Sequence, residues 1–417
     1  MTNIWSFWGF IAGLTSLLFV STPFGRVSML DFSTFFLAPI FLVTDFSRYS
    51  KPVKIVLALA LLWLAGAIWS DFYRDTPFVI ARKSNAIIFN AFTILVVGYH
   101  VLRRSPRAMM YFLLGNAISG FISLYAFQNG GMLGQAVKAG YTGGADMQDF
   151  LVEKMRWPFY ITLVIYGLLM TLRMKRLVPW WFCALVFIGC GGYVLKQGDG
   201  RSAFLIYAGT GVLMAIYAYW PKLLRLLFGN RLRMLIIGGL SAIVLGVGYY
   251  AAARTGMLGE GNRAKAAAKD DGGSVLDTRV DVIMNWPFLW RSPLTGCGAT
   301  YEVPADYSRI VRMNGFYGHS CLVGSWTEAG VWGLFFWLQA FFLFPKIMGR
   351  KIRGLGDFGP FFMGNAIGIL WNILFSPYGM FRGLCMFSIV FVAMLEDPRY
   401  YAFTCAQYLP KMRRRLP

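Results

Sequence analysis

Apolar stretches recur along the whole of this 417-residue chain, and they restrict what it can fold into. A bilayer core about 30 Å thick needs roughly 20 apolar helical residues for each crossing. The pattern predicts an all-α polytopic membrane protein, in which residues 1–417 form a single transmembrane domain of about twelve helices. The predicted runs are 4–20, 30–46, 55–70, 84–101, 109–127, 158–172, 180–195, 203–220, 234–252, 321–344, 360–375 and 380–395.

The composition supports this class of protein. Apolar residues make up 57% of the chain and charged residues only 14%, which is far more hydrophobic than a soluble domain of this size. The first run, 4–20, has the length of a signal peptide, but no basic segment precedes it and no small-residue cleavage site follows it. We therefore interpret this run as a retained first span.

The charge of the connections predicts the orientation of the chain. Lys and Arg number 40 against 19 Asp and Glu, and the cations form short clusters in every second connection between apolar runs. Under the positive-inside rule, this alternation predicts that both termini lie in the cytoplasm. Anionic lipid headgroups account for the basic excess, and the sequence has no basic domain or stacking platform, so we expect no nucleic-acid partner. The clusters are Arg48, Lys51 and Lys54; Arg103, Arg104 and Arg107; Arg173, Lys175 and Arg176; Lys222, Arg225, Arg231 and Arg233; Lys346, Arg350, Lys351 and Arg353; and the tail KMRRRLP.

One outward connection is much longer than a turn. Residues 253–320, between the ninth and tenth runs, are expected to form a periplasmic loop that carries part of an active site. Loops of this length in compact proteins are usually functional or contain short helices of their own. The second half of the loop contains Trp286 and Trp290, which favour an amphipathic helix at the membrane interface.

Ionisable residues on the outward side are the candidates for chemistry, because charge is costly to place in or beside a span. Arg201 heads an apolar run, where it could simply extend to the interface, but its planar cation also suits bidentate phosphate binding. Arg279 lies between Asp277 and Asp281, so the sequence is equally compatible with a local ion pair and with a ligand role. The full outward set is Arg201, Arg279, Arg291, Arg312, His319, Glu328 and Arg382.

His319 is the only histidine on the predicted outward side, and it precedes an apolar run. A histidine can gain or lose a proton near neutral pH, which suits a general base. A structural histidine is the alternative, and we interpret His100, beside an inner basic cluster, in that way. Glu328 lies nine residues beyond His319, about 13 Å along a helix, so we expect it to be a packing partner within or between helices rather than a catalyst.

Metal and disulfide chemistry have little support in the sequence. No zinc-protease, P-loop or nucleophile-elbow motif is present, and we expect no metal and no cofactor. The six cysteines show no CxxC spacing, and Cys297 with Cys321 is the one pair that could meet outside the membrane, a bridge that we do not predict. The aspartates of the long loop are too irregularly spaced to define a metal site: Asp270, Asp271, Asp277 and Asp281.

Three segments, in order along the chain, resemble one family. The first motif is GRSAFLIY (200–207), the second is TRVDVIMNWPFLWRSPLTGCGA (278–299), and the third is GHSCLVGSWTEAGVWG (318–333). Together they resemble the superfamily of O-antigen ligases and O-antigen or exopolysaccharide polymerases. Its members have an Arg that heads a span, then an Arg, a Trp and a Pro-Leu-x-Gly-x-Gly run, and then a His before Leu and a later Glu-x-Gly-x-x-Gly.

The resemblance implies a metal-independent, inverting membrane glycosyltransferase of the GT-C type, in a bacterial inner membrane with its active site facing the periplasm. The donor would be a glycan on undecaprenyl diphosphate. The acceptor would be lipid A core for a ligase or a second lipid-linked glycan for a polymerase, and we favour the ligase only slightly. The resemblance also implies that Arg201 and Arg279 bind the diphosphate and that His319 activates the acceptor hydroxyl. We expect Arg312, from the outward set, to contribute to substrate binding.

A twelve-span transporter or flippase is the competing class. Transporters of this size commonly show related halves and charged residues near the midplane of the membrane. The two halves of this chain do not resemble each other, and the candidate residues collect on the outward side. The sequence therefore favours the transferase.

Overall fold

A computed structural model describes residues 4–16, 19–22, 25–129, 177–197, 201–220, 222–223, 292–299, 320–375 and 382–408 of the chain. In that part of the chain, twelve α-helices follow one another. They are α1 (Ile4–Thr15), α2 (Met29–Asp45), α3 (Lys51–Tyr73), α4 (Phe78–Arg104), α5 (Ala108–Asn129), α6 (Trp180–Gln197), α7 (Arg201–Tyr219), α8 (Cys321–Ala329), α9 (Val331–Arg350), α10 (Gly359–Phe375), α11 (Arg382–Leu395) and α12 (Pro398–Tyr408). Short 3-10 helices follow α2 (Phe46–Arg48) and α9 (Ile352–Phe358).

Several of these helices are apolar enough for a membrane. Four segments of the described chain have both the length and the composition to cross one: Met29–Arg48, Lys51–Tyr73, Phe78–Arg104 and Val331–Arg350. Shorter apolar helices accompany them, among them α1, α10 and α11. The described structure is consistent with the predicted all-α membrane protein. The total of twelve spans stays a prediction, and the runs 158–172 and 234–252 lie outside the described residues.

The first predicted run is not helical throughout. α1 ends at Thr15, and two short strands follow, β1 (Phe19–Thr22) and β2 (Gly25–Ser28), which pair antiparallel. The strands contain β-branched residues, and the sequence places Pro23 and Gly25 where they meet, which favours a hairpin over continuation of the helix. The helix of the first run therefore ends at Thr15, and the last residues of the run, Phe19 and Val20, begin a hairpin, so the run is not the single span that the sequence predicted.

The tenth predicted run, 321–344, contains two helices. α8 ends at Ala329 and α9 begins at Val331, because Gly330 between them has φ 65° and ψ −153°. Glycine adopts this conformation without the steric cost that a Cβ brings. The run is thus a nine-residue helix followed by a helix of membrane length, which corrects the prediction of one continuous span.

α4 and α11 lie at the centre of the bundle. Almost every residue of α11 is buried, and the helix packs against α3, α4, α5 and α9. α3 and α9 meet through Trp63, whose ring stacks on Phe336 with 5.0 Å between centroids. By contrast, α2 leaves large side chains such as Phe36 and Val43 exposed, which suits contact with lipid.

One end of the bundle collects basic side chains around two carboxylates, and we call it the basic end. Asp45, 1% exposed, lies within ion-pair distance of His100 and three arginines of the bundle. Glu396 pairs in the same way with two lysines. The residues of the basic end are Asp45, Arg48, His100, Arg103, Arg104, Lys346, Lys351 and Glu396.

α12 packs across the basic end, and the sequence analysis did not predict it. Tyr400 donates its hydroxyl to the Leu102 carbonyl oxygen (3.0 Å), which ties α12 to the end of α4. The sequence does carry a helix-start pattern here, because Asp397 precedes a proline at the first helical position. The Asp397 carboxylate accepts a hydrogen bond from the Arg399 N–H (2.9 Å), as expected for a cap.

Candidate functional site

The structure describes only part of the predicted site. Arg279, Arg312 and His319 lie outside the described residues. Arg201 is the first residue of α7, where only its backbone is described. Glu328 is fully described and lies in the last turn of α8. The described part of the site consists of residues 292–299 of the second motif and residues 320–333 of the third.

The end of the second motif packs directly on the third. The Cys297 N–H donates to the Thr327 carbonyl oxygen (2.6 Å), and the Gly298 N–H donates to the Glu328 carbonyl oxygen (3.1 Å). In the opposite direction, the Val331 N–H donates to the Leu294 carbonyl oxygen (3.3 Å). We call this contact the motif junction: residues 292–299, residues 327–331 and the side chains of Asp71, Ser84 and Asn85.

The motif junction depends on the break in the helix. Carbonyl oxygens at the end of a helix have no partner within that helix. Here two of them, at Thr327 and Glu328, accept hydrogen bonds from the turn of the second motif instead. The indole N–H of Trp326 also donates to the Pro293 carbonyl oxygen (2.9 Å). The break at Gly330 thus creates the surface on which the second motif docks.

The glycines of both motifs are required by backbone geometry. Gly330 has positive φ, and a Cβ there would overlap the carbonyl oxygen of Leu294. Gly298 also has positive φ (76°), and a Cβ there would lie 2.9 Å from Oδ1 of Asp71. A side chain at position 330 would therefore push the two motifs apart, and one at position 298 would push the second motif away from α3.

Glu328 connects the third motif to α4. Its side chain is buried, and Ser84 of α4 donates its hydroxyl to Oε1 of Glu328. A buried carboxylate needs such donors, because moving a charged group out of water without a hydrogen-bond partner costs free energy. The contact joins two helices, which is the kind of role that the sequence analysis expected for Glu328.

Asp71 connects the second motif to α3. Its Oδ1 accepts a hydrogen bond from the Ala299 N–H (2.8 Å), and its Oδ2 accepts one from the Asn85 side-chain amide (2.8 Å). Arg74, in the turn after α3, donates to the hydroxyl of Ser292 at the start of the second motif's turn. The end of α3, the turn after it and the first part of α4 therefore hold the second motif in place.

Sequence reasoning missed these α3–α4 residues. The segment DFYRDTPFVIARKSN, residues 71–85, falls on the outward side of the predicted topology and contains both carboxylates and cations. The rule that singled out charged groups beside outward span ends applies equally to Asp71, Arg74 and Arg82. Such a search would have found them, although nothing in the sequence says that they contact the second motif.

The start of α8 is also fixed. Ser320, the residue after His319, caps the helix by accepting a hydrogen bond from the Val323 N–H (3.4 Å). The Cys321 thiol donates to the Asn372 carbonyl oxygen of α10 (3.3 Å). The residue that follows His319 is therefore held at the junction of α8 and α10.

Arg382 of the outward set and the two cysteines considered as a pair, Cys297 and Cys321, are all buried. Arg382 is 5% exposed and forms an ion pair with Asp31, so its cation is already neutralised at the starts of α11 and α2. Its Nε also donates to Oδ1 of Asp31 (3.2 Å). Cys297 and Cys321 are both buried free thiols.

Among the described residues there is no group of three or more His, Cys, Asp or Glu side chains that could hold a metal ion.

No protein-family model matches the chain, and no curated protein or solved structure matches it either.

Proposed function

We propose that this chain is a membrane glycosyltransferase of the O-antigen ligase and polymerase type, which moves a glycan from undecaprenyl diphosphate to an acceptor hydroxyl. The observation that carries the proposal is the motif junction. Segments that resemble the second and third motifs of that superfamily are separated by residues 300–317, yet their described parts are hydrogen-bonded to one another. Contact between the motifs is what a shared active site requires.

The proposed donor site uses fixed cations. Transfer breaks the bond between the anomeric carbon and the diphosphate oxygen, and the electron pair leaves with the diphosphate. Arg201 and Arg279 would bind this leaving group, with Arg312 as a further contact, because guanidinium groups stabilise developing phosphate charge. Two such cations supply the charge without a metal ion.

The proposed acceptor chemistry uses His319. The acceptor hydroxyl attacks the anomeric carbon from the face opposite the diphosphate, a new carbon–oxygen bond forms, and neutral His319 accepts the hydroxyl proton. The product therefore has the inverted anomeric configuration. Ser320 caps α8 directly after this residue, which gives the base a fixed attachment to the bundle.

The proposed orientation follows from the charge pattern. The basic end would face the cytoplasm and the motif junction the periplasm of a bacterial inner membrane. Support comes from the bundle itself, since the residues of the motif junction lie at the ends of α3 and α4 opposite to Arg48, Arg103 and Arg104. A lipid-linked donor would then reach the site from the outer leaflet.

The test is a reconstituted transfer reaction. Purified protein in lipid nanodiscs is incubated with an undecaprenyl-diphosphate glycan and, in separate reactions, with lipid A core or with a second lipid-linked glycan. Glycosylated lipid A core would identify a ligase, and an extended lipid-linked glycan a polymerase. Absence of both products, with uptake of a labelled solute by proteoliposomes, would overturn the proposal in favour of a transporter.

A further inference from the structure

Asp71 holds the last described residue of the second motif. Its carboxylate is 4% exposed, in the last turn of α3, and accepts hydrogen bonds from the Ala299 N–H and the Asn85 amide, each at 2.8 Å. Its own carbonyl oxygen accepts from the Thr76 N–H (2.9 Å), which fixes the turn that follows α3. Asp71 therefore links α3, α4 and the second motif at a single point.

This point matters because of where the chain goes next. Residues 300–319 connect Ala299 to Ser320, and they contain Arg312 and His319. Ala299 lies beside Glu328, because the neighbouring Gly298 N–H donates to the Glu328 carbonyl oxygen. Ser320 is eight residues before Glu328, so the two ends of the segment are separated by about 12 Å along α8. The cap at Ser320 holds one end of the segment, and Asp71 holds the other.

We propose that Asp71 is a positioning residue for glycan transfer: by holding Ala299 it sets where the segment with Arg312 and His319 leaves the bundle. This inference rests on the function proposed above. Asp71 acts through the Ala299 backbone and the Asn85 amide and touches neither donor nor acceptor. Misplacement of reacting groups by about 1 Å can lower a rate roughly 100-fold, so a remote anchor of this kind has a measurable effect on turnover.

The chain offers a conservative variant and a matched control. Asp71→Ala removes both hydrogen-bond acceptors. Asp71→Asn keeps one oxygen for the Ala299 N–H. Its new amide can donate to Oδ1 of Asn85 once the Asn85 amide turns over by 180°, since Oδ1 has no hydrogen-bond partner among the described residues. Asp75→Asn is the control, because Asp75 is an exposed carboxylate in the same turn, and asparagine tolerates its φ of 51°.

The kinetic result separates positioning from simple loss of fold. We expect Asp71→Ala to lower kcat for transfer at least about ten-fold with the donor KM within about two-fold, whereas Asp71→Asn and Asp75→Asn stay within about two-fold of the original protein. Rates are normalised to the amount of folded, monodisperse protein. If Asp71→Ala lowers only that amount and leaves kcat unchanged, Asp71 is structural and the inference is wrong.

A second measurement does not depend on activity. Ala299→Cys is labelled with a membrane-impermeant maleimide, alone and together with each Asp71 variant, and the protein without the added cysteine gives the background from native thiols. We expect labelling to be roughly five-fold faster with Asp71→Ala and unchanged with Asp71→Asn, since loss of the anchor frees the turn locally. Equal labelling rates would overturn the anchor. If the original protein transfers no glycan, the proposed function fails and the labelling decides the anchor alone.

Discussion

The basic end and the motif junction use buried carboxylates in different ways. At the basic end, Asp45 contacts the His100 ring and lies within ion-pair distance of three arginines. At the motif junction, Asp71 accepts from a backbone N–H and an amide, and Glu328 accepts from a hydroxyl. The carboxylate at the basic end offsets charge, whereas those at the junction hold segments of chain in place.

This difference also affects the cations near the junction. Arg74 and Arg82 form no ion pair with a carboxylate in the described part of the chain. Arg82 instead lies over the Phe78 ring, 5.8 Å from its centroid. Neither arginine is therefore paired with a carboxylate in the described part of the chain, which would suit the anionic donor proposed above.

The largest expected difference concerns the two histidines. His319→Ala should lower the rate of glycan transfer by roughly 100-fold or more, because a general base contributes at least that factor. His100→Ala should instead reduce thermal stability, since His100 is buried against Asp45 and stacks on Phe41, while the transfer rate per folded molecule stays the same. Transfer assays and thermal unfolding of both variants in the same detergent measure the two effects.

A wild-type transfer rate for His319→Ala would remove the base from this position. If folded His100→Ala loses as much of the transfer rate as His319→Ala does, the predicted difference between the two histidines is wrong.

The second prediction concerns the break between α8 and α9. Gly330→Ala should destabilise the protein by roughly 3 kcal/mol, because it combines a positive φ with overlap of the new Cβ and the Leu294 carbonyl oxygen. Gly209→Ala in α7 is the control, since among the described residues no atom outside its own stretch of helix lies within 4 Å of the position of its new Cβ. Thermal unfolding in detergent compares the two, and equal stability would mean that Gly330 is not required at the junction.

Much of the fold follows from hydrophobic pattern alone. The predicted runs 30–46, 55–70 and 84–101 fall within helices α2, α3 and α4 and the 3-10 turn after α2, because a membrane span needs only length and apolar composition. The exceptions arise from local backbone chemistry. The first run ends in the first strand of a hairpin, and the tenth run breaks at Gly330, where a single positive φ interrupts an otherwise helical pattern.

The candidate site was less accessible to sequence reasoning. The Pro-Leu-x-Gly-x-Gly and Glu-x-Gly-x-x-Gly patterns identified both segments of the motif junction, but not their contact. Asp71 and Ser84 were missed because their partners are 228 and 244 residues away in the chain. Only the packing of α3 and α4 against α8 brings these residues together, and no local pattern encodes that distance.

The third prediction tests the basic end. Asp45→Ala should destabilise the protein by roughly 1.5 kcal/mol, less than a fully buried ion pair, because solvent partly screens its arginine partners. Added salt should reduce the difference from the original protein, since salt weakens the repulsion left among the cations. Chemical denaturation at low and high salt gives both values. A salt-independent loss would show that Asp45 acts through packing and not through charge.

The smallest expected effect lies at the junction itself. Ser84→Ala should cost about 1 kcal/mol, because Glu328 loses a hydroxyl donor while its carboxylate stays buried. Ser33→Ala is the control, since the Ser33 hydroxyl bonds only to the Leu30 carbonyl oxygen of its own helix and should change stability little.

A double-mutant cycle with Glu328→Gln sharpens this result. If Ser84 acts through Glu328, the two substitutions together should cost less than the sum of their separate effects, because the amide of Gln leaves no buried charge without a donor. Additive costs would mean that the two side chains do not depend on each other. The third motif would then be held mainly by its backbone contacts with residues 292–299. Asp71 would be the carboxylate that joins the motifs to the bundle.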